Sequence, residues 1–534
     1  MAYFTLHAYD ADVWVRAFRG INQADMTLNP DINFATEATN VETPFGVLQP
    51  EARRTEMLGS FTDRIETLAA FTRRWYEGAG NHDWYVCCSG GKLYQRQKGA
   101  GVDWSEIELP TGVNAYSKST WSWVTYEINP ENTDYTVDVL LMSNDADGMI
   151  MIVPPERPTT HDDLTEFTHS AMASKTHNEL ASPAWTVRTV YTNGHKFGVL
   201  ERYAERIWGT AIADNPDLLV YSAPYDPMDW EPNADIPEDG AGEISQPTWD
   251  GDKFCALKRF GDQLLAFKKN HVWRVLGTNP GEYEMHEQYG GGTEFFNTIA
   301  VDKERVFLES VNGLSIYDGM SISEYAREQV NEIWKTVNRG AMEQMCAALF
   351  MNRYYIAFPA GDSAVNNAML IYNMSDGSIL YHNNIFVESF LPTDDALFYT
   401  SSTLPGKMLQ MRYNSWEDGE ASGNATKWVT PWMDFGYKRI QKGGFDLYFM
   451  PEVKDTAVEL KISVQTEKKL KTKTYTIQPL TAEQQAANKE HRGKRLHFGG
   501  AGRRFRVIIE TEAGVTAPWR LIGGLQLVVE TDPD

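Results

Sequence analysis

From about residue 81 onwards, short aromatic or β-branched runs alternate with Gly, Asp and Asn turns, the pattern of antiparallel hairpins. Trp84-Tyr85-Val86-Cys87-Cys88 turns through Ser89-Gly90-Gly91 into Lys92-Leu93-Tyr94-Gln95. The run at 137–142 turns through Asn144-Asp145-Ala146-Asp147-Gly148 into 149–153. Phe254-Cys255-Ala256-Leu257, Gln263-Leu264-Leu265-Ala266-Phe267 and Val272-Trp273-Arg274-Val275-Leu276 give three strands in close succession. The same grammar runs through 305–317, with an Asn312-Gly313 turn, and through 354–381.

Groups of three or four such strands recurring every ~45–60 residues are what a β-propeller needs, because one four-stranded blade cannot bury its faces without neighbours. The expected fold is therefore all-β: a propeller whose blade number the pattern leaves open, an extended N-terminal arm and a C-terminal β-sandwich. The first ~50 residues are rich in Asn and Pro and show little periodicity, which predicts an arm over 1–55. The propeller is expected over 56–424, ending at the polar break 416–424. Alternation at 458–464, 505–509 and 525–529 predicts the sandwich over 425–534. Helix signals are few: 321–338, with Ile322, Tyr325, Val330, Ile333, Trp334 and Val337 apolar, and a short polar candidate at 481–491.

Composition narrows the function. The 534 residues carry 49 Lys or Arg against 73 Asp or Glu, a formal charge of −24 that argues against a general nucleic-acid coat. The average hides an asymmetry. Between Lys438 and Arg506 there are 16 Lys or Arg and 7 Asp or Glu, a balance of +9 that leaves −33 to the rest. Four cysteines are too few for a disulfide framework and point to folding in a reducing cytoplasm, with the thiols as small buried apolar groups. The first ten residues lack the features of a secretory signal and no run approaches ~18 apolar residues, so neither export by that route nor membrane insertion is expected.

Candidate chemistry is sparse. The turn 144–148 suggests a calcium loop, but counting Gly148 as the sixth position puts Pro154 where a bidentate Glu is needed, which leaves a hairpin tip. His161, His169 and His177 recur every eight residues, a spacing without helical ligand geometry or a Cys partner. Gly499-Gly500-Ala501-Gly502 lacks a dinucleotide-binding pattern and reads as a turn. No nucleophile elbow, His-Glu-x-x-His or phosphate loop occurs, so neither catalysis, a cofactor nor a metal is expected. The one candidate interaction surface is the basic run containing Lys468, Lys469, Lys471 and Lys473. As a strand it puts alternate lysines on one face, open to nucleic acid, to an acidic protein or to a neighbouring subunit, or simply protecting a sheet edge. Trp208, Trp273 and Tyr317 are expected as packing residues between blades.

Several segments resemble a family of β-propeller proteins of tailed bacteriophages, the tail hub, nozzle or packaged-DNA stabilisation proteins. They are Glu205-Arg206-Ile207-Trp208-Gly209-Thr210 with the following Tyr221-Ser222-Ala223-Pro224-Tyr225-Asp226-Pro227, the stretch 256–275, the stretch 290–319 ending in Tyr317-Asp318-Gly319, and Trp428-Val429-Thr430-Pro431-Trp432 with Ala517-Pro518-Trp519. The resemblance implies a structural virion protein made in the bacterial host cytoplasm. It implies a ring of six copies below the portal and adaptor, touching those proteins and tail fibres, that extends the DNA channel and retains or conducts the genome. A negatively charged lumen would let DNA pass without tight binding. A receptor- or carbohydrate-binding protein at the virion tip is the other reading, and a polysaccharide hydrolase a more distant one.

Overall fold

The computed structural model describes residues 9–24, 31–56, 61–73, 82–99, 103–128, 137–154, 185–288, 290–310, 313–434, 442–481, 483–484 and 493–531. Within them the hairpin runs form seven antiparallel four-stranded blades. Blade 1 is Ile65–Arg73, His82–Ser89, Lys92–Gln97 and Ser105–Glu106; blade 2 is Ser122–Ile128, Val137–Asn144, Gly148–Val153 and Thr186–Val190. Blade 3 is Val199–Tyr203, Arg206–Thr210, Leu218–Tyr221 and Gly242–Ser245; blade 4 is Ala256–Phe260, Gln263–Phe267, Val272–Leu276 and Glu284–Gln288. Blade 5 is Ala300–Val301, Val306–Ser310, Gly313–Tyr317 and Ile322–Glu324; blade 6 is Cys346–Phe350, Arg353–Phe358, Ala368–Asn373 and Ile379–Asn383. Blade 7 takes Ser389–Pro392, Leu397–Thr400 and Met408–Gln410 and borrows its outer strand, Thr55–Glu56, from near the N-terminus, pairing Leu409 with Glu56 and Gln410 with Thr55.

Each blade is apolar on both faces, so the core is a series of inter-blade layers. Leu140 and Ile150 of blade 2 pack on Phe71 and Val86 of blade 1, and the series returns on itself where Leu391 and Phe398 of blade 7 meet Leu68 and Tyr85 of blade 1. Trp208, Trp273 and Tyr317 are all buried in these layers. The Trp208 ring lies 4.8 Å from Tyr221 and 5.0 Å from Tyr283, bridging blades 3 and 4.

The sandwich packs Tyr9–Val15, Trp519–Thr531, Lys442–Val453 and Lys494–Gly502 against Thr426–Val429, Phe505–Thr511, Val458–Thr466 and Leu470–Ile477. Its core is Trp428, Phe445, Leu460, Ile462, Phe505 and Trp519 among others. The second of these sheets runs on through Glu37–Thr39 into blade 6, so nine strands form one continuous sheet.

Four expectations change. The stretch 1–55 is more than an arm: within it Tyr9–Val15 is a sandwich strand, Glu37–Thr39 joins the two domains, and Thr55 starts the strand that closes blade 7. The helix expected over 321–338 is strand Ile322–Glu324, a 3-10 turn at Glu328–Val330 and four helical residues, Asn331–Trp334, interrupted where Ala326 takes φ 53°. Val330, Trp334 and Val337 serve the blade 5–6 layer, whereas Ile322 packs from its strand into the blade 4–5 layer. Gly499 to Gly502 end a strand, with Gly502 paired to Lys442 and Ala501 to Gly443. Cys87, Cys88 and Cys346 are buried, whereas Cys255 is partly exposed. His161, His169, His177 and most of 481–491 lie outside the described residues.

Candidate functional site

The basic run sits at the free edge of the nine-stranded sheet. Lys468 and Lys469 occupy an exposed turn whose amides donate to the Thr466 hydroxyl at 3.2 and 3.0 Å. Lys471 and Lys473 are exposed on the edge strand Leu470–Ile477, opposite Val464 and Ile462. They have a structural job as well. The Lys473 ammonium lies 5.6 Å from the centre of the Phe498 ring on the facing sheet, and Tyr475, two residues on, packs on Phe449 at 5.4 Å. The lysine stems therefore cap the mouth of the sandwich core while the charges discourage strand addition. Lys468, Lys469, Lys471 and Lys494 make no ion pair among the described residues, whereas Arg495 is held by Asp446. The result is a basic rim with uncompensated charge.

The opposite charge is concentrated on blade 3. Its third and fourth strands are joined by a long loop, 222–241, built on Arg206. The buried guanidinium donates to the carbonyls of Ser222 at 2.7 Å and Gly240 at 2.6 Å and to that of Glu238, and it lies 5.2 Å from the Tyr221 ring centre. Asp226 accepts from the Met228 amide, Asn233 from the amides of Asp235 and Ile236, and the Trp230 indole donates to the Pro227 carbonyl. A Cβ on Gly240 would stand 2.2 Å from the Asn233 nitrogen, so that position requires glycine. Every one of these bonds uses backbone, which leaves the acidic side chains Glu231, Asp235, Glu238 and Asp239 facing solvent.

The propeller's central channel holds a cavity of ≈ 480 Å³ lined mainly by the first strands of the blades. Its charges largely compensate one another: Lys258 approaches Glu201 at 3.6 Å, Arg64 binds Glu388 at 2.8 Å, and the Thr120 hydroxyl donates to Glu66 at 3.3 Å. Burial raises the Glu388 carboxyl above its ordinary value despite Arg64.

One ligand-type cluster was not legible in the sequence. The ligand atoms of Asp250, Asp252 and His271 lie within 4.8 Å of one another and could hold a divalent cation. His271 is already satisfied, however. Its Nε2 meets Asp250 at 3.0 Å and its Nδ1 meets Glu287 at 2.6 Å, and although burial opposes its charge, these carboxylates raise its pKa. With both ring nitrogens within hydrogen-bonding distance of carboxylates, His271 has its polar contacts met inside the protein. The 144–148 turn spends its oxygens on protein donors too, with Asp147 accepting from the amides of Ser117 and Lys118.

No family model matches the chain, and no curated protein matches it. Among solved structures, the AfRom2 CNH domain is similar at TM-score 0.36 and 9% identity, over 68% of this chain and 100% of that one. The extracellular domain of a one component system from B. thetaiotaomicron is similar at 0.32 and 10%, over 87% of this chain and 56% of that one. BBS1N in complex with ARL6DN is similar at 0.27 and 11%, over 75% and 98%.

Proposed function

We propose that this chain is a structural virion protein of a tailed phage, a hexameric ring below the portal and adaptor that extends the DNA channel and helps retain or conduct the genome. The observation that carries the reading is the separation of charge between the two domains. A basic sandwich rim with unpaired lysines and an acidic propeller suit a subunit that must join protein neighbours while presenting DNA with a surface it does not adhere to. The family resemblance of the segments around Arg206, 256–275 and Trp428 points the same way. Adaptor and fibre proteins are the expected partners, the virion neck or tail the expected location, and the role needs no catalysis. Mass photometry and negative-stain imaging of the protein, alone and with portal and adaptor rings, test the proposal. A closed ring or a six-fold complex on the adaptor is expected, and a persistent monomer without ring affinity overturns it.

Exposed rings favour one second reading, carbohydrate binding at the virion tip. Trp249 is 92% exposed and Tyr191 68% exposed, and sugars stack on such faces. Glycan-array binding lost in Trp249→Ala would support it, and a blank array would remove it.

A further inference from the structure

Between residues 207 and 252 the chain carries 11 Asp or Glu and no Lys, Arg or His. Most of that stretch is the outer half of blade 3, and its exposed centre is the loop held by Arg206. Glu231, Asp235, Glu238 and Asp239 have no ion-pair partner among the described residues, and Ile236 and Tyr225 stand exposed beside them. Charged groups around a few exposed apolar side chains on a pre-ordered backbone are the makings of an interface, because little ordering cost remains to be met on binding.

The basic rim lies elsewhere. The sandwich continues the sheet of blade 6 outward, and blade 3 is three blades away in a ring of seven, nearly across the propeller. One molecule therefore cannot bring the two surfaces together, but two copies can. A contact between unlike surfaces leaves one of them free at one end of a row of copies and the other at the opposite end, so it propagates, and it closes into a ring where the rotation between copies allows.

We propose that the acidic loop 222–241 of one copy receives the basic sandwich rim around Lys468 and Lys469 of the next, and that this head-to-tail contact builds the ring. The inference rests on the ring reading above and names the surfaces that make it. A second copy fits the rim better than nucleic acid does, since a polyphosphate would meet −33 of charge on the rest of the chain. A neighbouring blade 3 supplies the complementary charge together with Ile236 and Tyr225.

The test uses the full chain in three variants: K468E/K469E, E231K/D235K/E238K, and the two combined. The altered side chains are all exposed and belong to no core. Mass photometry and sedimentation follow assembly from about 0.05 to 0.5 M salt, where screening of surface charge changes most. The expected result is a salt-sensitive oligomer whose dissociation constant rises at least about tenfold in either single set and returns to within about threefold of the parent in the charge-swapped combination. An oligomer indifferent to both sets overturns this interface and leaves the ring reading standing. A monomer under every condition, with portal and adaptor rings present, overturns both. K468E/K469E losing affinity for a DNA duplex while assembling normally would give the rim to nucleic acid and also overturn the inference.

Discussion

Arg206→Met tests whether one buried cation holds the acidic loop in shape. Arg206 is 1% exposed, and its guanidinium faces carbonyls instead of a carboxylate: Ser222 at 2.7 Å, Gly240 at 2.6 Å, and Glu238. Three hydrogen bonds from a charged donor contribute roughly 1.5–3 kcal/mol each. Part of that is offset because methionine brings no cation to desolvate, a cost of several kcal/mol. The variant still leaves three inward-facing carbonyls without a donor, so the net loss is about 3–5 kcal/mol, the range for breaking a buried charged contact from one side. Arg206→Lys keeps the charge but cannot span three carbonyls, and should lose about half as much. Hydrogen exchange is the assay, read at the amides of Ala223, Tyr225, Asp239 and Ala241, which donate to Asp229, Glu205, Ile236 and Glu231. At about 1.4 kcal/mol per decade, protection there should fall by two to four orders of magnitude. Sandwich amides such as that of Leu460 should be unaffected. Unchanged loop protection in the methionine variant, or an equal rise in exchange throughout the chain, would refute the reasoning.

Glu309 is fully buried with neither carboxyl oxygen bonded, and desolvation raises its pKa well above 4.5. Its folded form keeps a proton that the unfolded form releases, so stability falls as pH rises from the ordinary carboxylate range, by at most about 1.4 kcal/mol per pH unit. Glu309→Gln should be the more stable protein at pH 7–8, by chemical denaturation, with the difference vanishing near pH 4. Trp208→Ala opens a cavity between blades 3 and 4 and should cost about 3–5 kcal/mol, seen as a lowered denaturation midpoint. Burial raises the Cys88 thiol to about 12 and Cys87 well above its usual value, so neither should react with a thiol reagent at pH 8 until the protein unfolds.

How much of this was legible depended on the distance over which each feature is made. Hairpins such as 84–95 and 263–276 are encoded in adjacent runs and local turns, and they stand where alternation put them. Blade number is a sum over the whole ring, and it was hidden because the last blade takes its outer strand from Thr55–Glu56, hundreds of residues from its partner. The strand Tyr9–Val15 was missed for the same reason, since its partner is Trp519–Thr531. In 321–338 the apolar spacing imitates a helix because the segment turns back on the blade 5–6 layer; spacing records which residues are buried, and an irregular chain can bury the same ones. The lysine run was readable as an edge strand, but its cap on Phe498 needed the second sheet. Asp250 and His271 meet only because the connection into blade 4 and a hairpin turn within that blade reach one place.

The N-terminal threading couples the two domains. One segment gives a strand to the sandwich, joins its second sheet to blade 6, and then closes blade 7. It is anchored midway by a buried polar knot. His382 of blade 6 lies 3.4 Å from Glu42 and 3.5 Å from Glu51, Arg353 binds Glu42 at 3.3 Å, and Arg54 binds Glu51. Burial raises the Glu42 carboxyl, with Arg353 and His382 pulling it back. Charges buried this way add little net stability, but removing one strands its partners, so the segment has one register in which Glu42 meets Arg353 and His382 while Glu51 meets Arg54. A slip of one residue would unpair the knot, the sandwich edge and blade 7 together. The propeller can therefore close only with the segment that also completes the sandwich, which fixes the basic rim relative to blade 3, as the proposed head-to-tail contact requires of every copy.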